Sequence, residues 1–191
     1  MVMANTGQDE YQIVHRLKSG DLQALNELMN QYKEEFYRLA YHILGNKEDA
    51  EEILQDTFLR AYQKINSYEG KAKLSTWLYR ICVNRCLNRL ESRKARAAKV
   101  TGMDEIQNLP DLHDTAAEYE AAELRETINH AIDQLKPDQR ILISLYYMQA
   151  FSCAEISDIL QQPLGTVKTH LFRARNSLKK ILAAINMNQE A

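Results

Sequence analysis

The stretch from Leu145 to Leu182 constrains this chain more than any other part. A short run with Cys153, Ala154, Ile156, Ile159 and Leu160 at helical spacing leads into a tight connection at Gln161, Gln162 and Pro163. A second helix is predicted over 164–184, with Leu164, Val167, Leu171, Ala174, Leu178 and Leu182 on one face. Its other face carries Lys168, His170, Arg173, Arg175, Lys179 and Lys180, and no acidic residue occurs between Pro163 and Met187. An apolar inner stripe opposite an acid-free cationic face, after a tight turn, is the pattern of a helix-turn-helix whose second helix enters the DNA major groove.

Charge is segregated along the chain. The totals nearly cancel, 24 Lys and Arg against 26 Asp and Glu for a net of −2. From Lys71 to Val100, however, nine basic residues face one acid, Glu91, a local net of +8. From Thr101 to Glu126, eight acids face only Arg125, a net of −7. Two basic blocks flanking an acidic one point to two DNA-facing surfaces that grip weakly alone and work with a partner.

Nearly every remaining segment reads as helix, and no alternation of period two is long enough for a sheet. Leu22, Leu25, Leu28, Met29, Tyr32, Phe36, Leu39, Ala40 and Ile43 recur at steps of three and four, with Asp21 as N-cap and Gly45 as stop. A second stripe is Ala50, Ile53, Leu54, Thr57, Phe58, Ala61, Tyr62 and Ile65. A loop over 66–73 contains Gly70, and a third helix starts near Ser75 and runs to about Arg93. Periodicity fades from Ser92 to Ala116 and resumes at Ala117, where Leu124, Ile128, Ala131, Ile132 and Leu135 form a stripe ending before Pro137. The predicted architecture is all-α: two small helical domains, 9–95 and 117–187, joined by a flexible linker over 96–116, the second containing the helix-turn-helix.

Other chemistries find no support. Cys82, Cys86 and Cys153 are an odd set in a chain that opens without a secretion signal, which predicts a cytoplasmic protein. No apolar run approaches the ~20 residues of a membrane span. Cys82 and Cys86 share a helix face, but nothing supplies the further ligands of a zinc site, so packing is the expected role and no metal or cofactor is expected. There is no phosphate-cradling glycine loop, no nucleophile elbow and no acid/base carboxylate pair, so the chain is read as no enzyme.

Two stretches carry a resemblance. The first is GNKEDAEEILQDTFLRAYQKINSYEGKAKLSTWLYRICVNRCLNRL, from Gly45 to Leu90. The second is LKPDQRILISLYYMQAFSCAEISDILQQPLGTVKTHLFRARNSLKKIL, from Leu135 to Leu182. In this order they resemble the two domains of a bacterial sigma factor of the extracytoplasmic function group. The resemblance implies a promoter-specificity subunit that binds core RNA polymerase at the β′ clamp helices and the β flap. It also implies reading of the −10 and −35 promoter elements, opening of the DNA, and restraint by an anti-sigma factor.

Site residues follow. On the helix over 48–64, Glu52, Gln55, Asp56, Leu59 and Arg60 take the core-polymerase role by resemblance; by pattern alone the acids suit a solvated, dipole-favoured helix N-terminus. From 67 to 93, Tyr68, Lys71, Lys73, Trp77, Arg80, Asn84, Arg85, Asn88 and Arg89 mix rings, cations and amides, which suits single-stranded DNA. Trp77 fits core packing as well. By resemblance this segment reads the −10 element, and the loop over 66–73 holds an extruded base, whose unstacking a shaped pocket must offset. Gly165, Thr166, Lys168, Thr169, His170, Arg173 and Arg175 are the candidate −35 contacts, Lys168 and Thr169 at base edges and the arginines on phosphates. The sequence departs from the family at Asn88, where Asp is frequent, and at His170, where Arg is frequent. The reading is an alternative sigma factor that directs promoter-specific initiation. A stand-alone helix-turn-helix regulator, and an interaction module that reads no DNA, are the alternatives.

Overall fold

The computed structural model describes residues 7–97 and 116–189. Eight α-helices are present among them, and no strand: α1 (Gly7–Lys18), α2 (Leu22–Leu44), α3 (Lys47–Lys64), α4 (Leu74–Ala97), α5 (Ala116–Asp133), α6 (Pro137–Ile143), α7 (Cys153–Leu160) and α8 (Leu164–Gln189). A 3₁₀ turn (Ile65–Ser67) follows α3, and a π-helical turn (Ser144–Met148) extends α6. The expected all-α class and the helix-turn-helix are both present. Most of the acidic linker falls outside the described residues.

The boundaries have local causes. Asp21 caps α2 by accepting from the amides of Gln23 and Ala24, and Gly45 ends it at φ 66°, donating to Tyr41 O. Asn46 caps α3 by accepting from the Asp49 amide. Pro137 opens α6, where its missing N–H is not needed. Ser152 and Glu155 form a reciprocal capping box at α7, and Gln161, at φ 52°, ends that helix.

Phe36, fully buried in α2, centres the N-terminal half. Its ring meets Tyr32 at 5.4 Å, Phe58 of α3 at 5.6 Å and Tyr79 of α4 edge-on at 4.9 Å. Ile132, Leu135, Leu142, Leu145, Ile156, Ile159, Val167, Leu171 and Ala174 are buried in the C-terminal half. The halves pack together: α4 contacts α7, and α2 contacts α6. Phe151 meets the Tyr79 ring at 4.8 Å, the Tyr79 hydroxyl lies 2.6 Å from Gln149 Oε1, and Arg140 donates to His42 O at 3.3 Å.

Four positions expected on apolar stripes face outward. Leu22 and Leu124 are 61% and Leu164 40% exposed, and Ala154 is exposed. Each lies in the first half of its helix.

His42 is buried with its Nδ1 lacking a hydrogen-bond partner. Burial first, then the nearby Arg38 and Arg140 cations, lower its pKa from 6.5 to about 4. The folded state therefore resists a proton that the unfolded chain accepts below pH 6.5. Stability present above that pH is lost as pH falls toward about 4, by about 3 kcal/mol in all. Urea unfolding at a series of pH values should show this loss, and His42→Gln should flatten the slope within that window.

Candidate nucleic-acid interface

α3 and α4 run side by side, joined by a ladder of ion pairs. Asp49 takes Arg93 at 2.5 Å and Arg89 at 3.5 Å; Glu52 also pairs with Arg89, and Asp56 with Arg85 and, at 3.3 Å, Arg60. Arg93 donates to Leu44 O at 2.8 Å as well. The hydrogen bond that Arg89 donates to Glu52, more than the charges of Asp49 and Asp56, raises the Arg89 pKa. Of the five residues assigned to core polymerase, Glu52, Asp56 and Arg60 thus belong to this ladder. Gln55 and Leu59 lie on the outer face, Leu59 55% exposed.

The loop over 66–73 is held from several sides. The Tyr68 hydroxyl lies 2.7 Å from both Glu10 Oε1 and Ala72 O, and its single proton serves one of them at a time. The Leu74 amide donates to the same Glu10 oxygen at 2.5 Å, and Lys18 Nζ donates to Tyr68 O at 2.9 Å. Gly70 turns at φ 71°, a conformation side chains disfavour. Burial, and then the Glu10 hydrogen bond, push the Tyr68 phenol pKa up.

The nine residues assigned to single-stranded DNA therefore divide. Lys71, Asn84 and Asn88 are exposed, and Trp77 and Arg80 are half-buried. Tyr68 is 8% exposed, its ring 5.4 Å from that of Trp77, so it shapes the loop from beneath. Arg85 and Arg89 bind α3. Lys73 reaches across to the C-terminal half and binds Glu155 at 2.8 Å. This hydrogen bond is the largest cause lowering the Glu155 pKa and raising that of Lys73. Beside that pair, a cleft of about 1040 Å³ between the halves is lined by Tyr32, Glu35, Tyr79, Gln149 and Phe151 among others.

In the helix-turn-helix, the Val167 amide donates to Pro163 O and Ser157 Oγ to Gln162 O, which fixes the turn. Val167, Leu171 and Ala174 face inward; Gly165, Lys168, Thr169, His170 and Arg173 are exposed, and Thr166 is half-buried. Thr169 Oγ1 donates to Gly165 O at 2.9 Å, which leaves its methyl group for apolar contact. A Cβ placed on Gly165 would meet nothing within 4 Å, so that surface is open. Arg175 lies 4.8 Å over the Tyr146 ring and 5.5 Å from that of Tyr147, turned toward its own domain. Sequence reasoning missed Phe172, 63% exposed and four residues after Lys168. The available signal was its position beside the inward Leu171. Cys82 and Cys86 are buried and unpaired, and no cluster fit to hold a metal occurs among the described residues.

Residues 28–96 match the sequence family described as Sigma-70 region 2, and residues 125–178 the family described as Sigma-70, region 4. The ECF RNA polymerase sigma factor SigW of Bacillus subtilis is 36% identical over 176 residues, covering 88% of this chain and 94% of that protein. The RNA polymerase sigma-H factor of Pseudomonas aeruginosa is 29% identical, over 93% and 95% of the respective chains. Two solved structures share the fold. The sigma factor RpoE with the anti-sigma factor NepR, from Bartonella quintana, has TM-score 0.69 at 22% identity over 83% of this chain and 96% of that one. CnrH with the cytosolic domain of CnrY has TM-score 0.65 at 20% identity over 92% and 97%. The chain belongs to the extracytoplasmic function group of the sigma-70 family. Its function is that of an alternative sigma factor directing transcription initiation, and a stand-alone regulator is not favoured. Sigma factors initiate transcription without enzymatic activity of their own. No described helix is long and apolar enough to cross a membrane.

The ladder makes its own prediction. Asp49→Ala leaves Arg93 and Arg89 short of a partly buried partner, so it should lower stability by about 1–3 kcal/mol. Glu51→Ala, on the exposed face of the same helix, should change it by less than about 0.5 kcal/mol. Paired denaturant titrations check this.

Proposed function

We propose that the chain works in the cytoplasm in three places. Gln55 and Leu59, with Glu52, Asp56 and Arg60 behind them, dock on the β′ clamp helices of core polymerase. The loop over 66–73 and the face of α4 bearing Trp77, Arg80, Asn84 and Asn88 take the single strand of the −10 element. The exposed start of α8 reads the −35 duplex, with a further surface of the C-terminal half on the β flap. The units are those predicted from the sequence, 9–95 and 117–187, with 96–116 as tether. The protein supplies no catalysis, and polymerase performs the chemistry.

The observation that carries this reading is the order of two matched regions, one with a ring-and-amide face beside a shaped loop and one with an acid-free exposed helix start. An anti-sigma partner is part of the proposal. One neighbour of shared fold was solved with an anti-sigma factor and the other with the cytosolic domain of CnrY, and the cleft between the halves here offers a lined, partly polar seat.

Transcription by core polymerase over a pool of promoter fragments, with and without this protein, tests the whole. A sigma factor changes which templates start transcripts, while tight duplex binding without polymerase supports a stand-alone regulator. Lys168→Ala should weaken promoter use by about 1–3 kcal/mol and relax selection at one −35 base pair. Arg173→Ala should weaken all −35 variants equally. Arg175→Ala should cost less selection than either, because its guanidinium rests on Tyr146 and Tyr147. Template-competition ratios distinguish these three outcomes.

A further inference from the structure

We propose that Glu10 is a positioning residue for −10 recognition, holding the loop over 66–73 in its reading shape from outside the region that contains it. This rests on the proposal that the loop takes an extruded base.

Glu10 lies on α1, before the start of the matched region 2 at residue 28. One of its oxygens meets both ends of the loop: the Tyr68 hydroxyl at 2.7 Å near the entry, and the Leu74 amide at 2.5 Å at the exit. Leu74 is the first residue of α4, so its N–H has no partner within that helix. A carboxylate there acts as a cap supplied from 64 residues away, at the helix end where the dipole favours negative charge. Three further contacts close the frame. Lys18, also on α1, donates to Tyr68 O at 2.9 Å; Ala72 O lies 2.7 Å from the Tyr68 hydroxyl; and the Tyr68 ring rests 5.4 Å from Trp77. The loop tip, with Gly70 and Lys71, remains exposed above this frame. A pocket that must offset the unstacking of a base gains from walls already in place, because ordering them on binding would subtract from affinity. α1 therefore sets how sharply one −10 base is chosen, though neither Glu10 nor Tyr68 touches DNA.

The test uses the full chain with core polymerase in template competition. The templates carry single substitutions across the −10 element, with a −35 series as control. Glu10→Ala should reduce discrimination at one −10 position by about tenfold, the scale of one hydrogen bond to a charged group. Discrimination at −35 and affinity for core polymerase should not change. Tyr68→Phe, which keeps the ring, should produce a loss at the same position. The double variant should add nothing to the larger single effect, and Glu10→Gln, which keeps an acceptor oxygen, should restore most of it. A Ser67→Ala/Lys71→Ala loop variant runs in parallel. If the loop variant alters the −10 profile while Glu10→Ala and Tyr68→Phe do not, Glu10 is a structural staple only and the proposal is overturned. If no variant alters the profile, the loop does not read the base, and both readings fall. A uniform loss across all −10 and −35 templates also overturns it.

Discussion

Burial of the Tyr79 ring is the interaction on which the rest of this molecule depends. The ring stands edge-on to Phe36, the centre of the N-terminal core, and also packs on Phe151 at the entrance to the helix-turn-helix. Its hydroxyl lies between Glu35 Oε2 at 2.8 Å and Gln149 Oε1 at 2.6 Å. Burial pushes its pKa up, so the group stays a neutral donor. Tyr79 sits in the second turn of α4, one turn after Leu74. Fixing it therefore fixes the rotation of α4, and with it the directions of Trp77, Arg80, Asn84 and Asn88.

That rotation decides how the charges are used. The +8 from Lys71 to Val100 reads as a DNA-binding surplus. In the fold, Arg85, Arg89 and Arg93 turn toward α3 and meet Asp49, Glu52 and Asp56. Part of the surplus is thus internal neutralisation, and the long-range field is weaker than the sequence implies. Weak intrinsic attraction to phosphate suits a subunit carried to DNA by a larger enzyme, since nonspecific affinity grows with the number of phosphates neutralised.

The helices were legible because periodicity and end signals are local. Asp21, Gly45, Asn46 and Pro137 act within four residues of themselves, and a sequence displays such contacts directly. What periodicity reports is a direction around a helix axis; it does not say whether anything covers that direction. Leu124 and Leu164 followed the stripe and are exposed for that reason. The candidate site was legible by residue type and less so by role. Tyr68 reads as a stacking platform, yet its hydroxyl finds Glu10, 58 residues earlier, and its ring goes under the loop. Arg175 reads as a phosphate contact, and its stacking on Tyr146 and Tyr147 depends on the π-helical turn over Ser144–Met148, which no spacing rule announces. Pairings at such separations follow from tertiary packing, and a single sequence does not encode them as a pattern.

The junction between the halves has an uneven energetic make-up. The Lys73–Glu155 pair is conspicuous, yet Lys73 is 70% exposed, and pairs of that exposure contribute about 0–1 kcal/mol. Glu155 also loses little on parting from Lys73. It keeps the Ser152 amide at 3.0 Å and the Ser152 hydroxyl at 2.9 Å through the capping box. Phe151, 9% exposed against Tyr79, forfeits far more on separation, because a buried aromatic ring is worth about 1.5–3 kcal/mol. Apolar burial therefore holds the closed arrangement, and the ion pair mainly selects its register. Salt, which screens exposed pairs and strengthens apolar contacts, would not open such a junction. What opens it is a surface that engages α4 or α7 more favourably than they engage each other, and a large enzyme docking both halves at once is the kind of partner able to supply one.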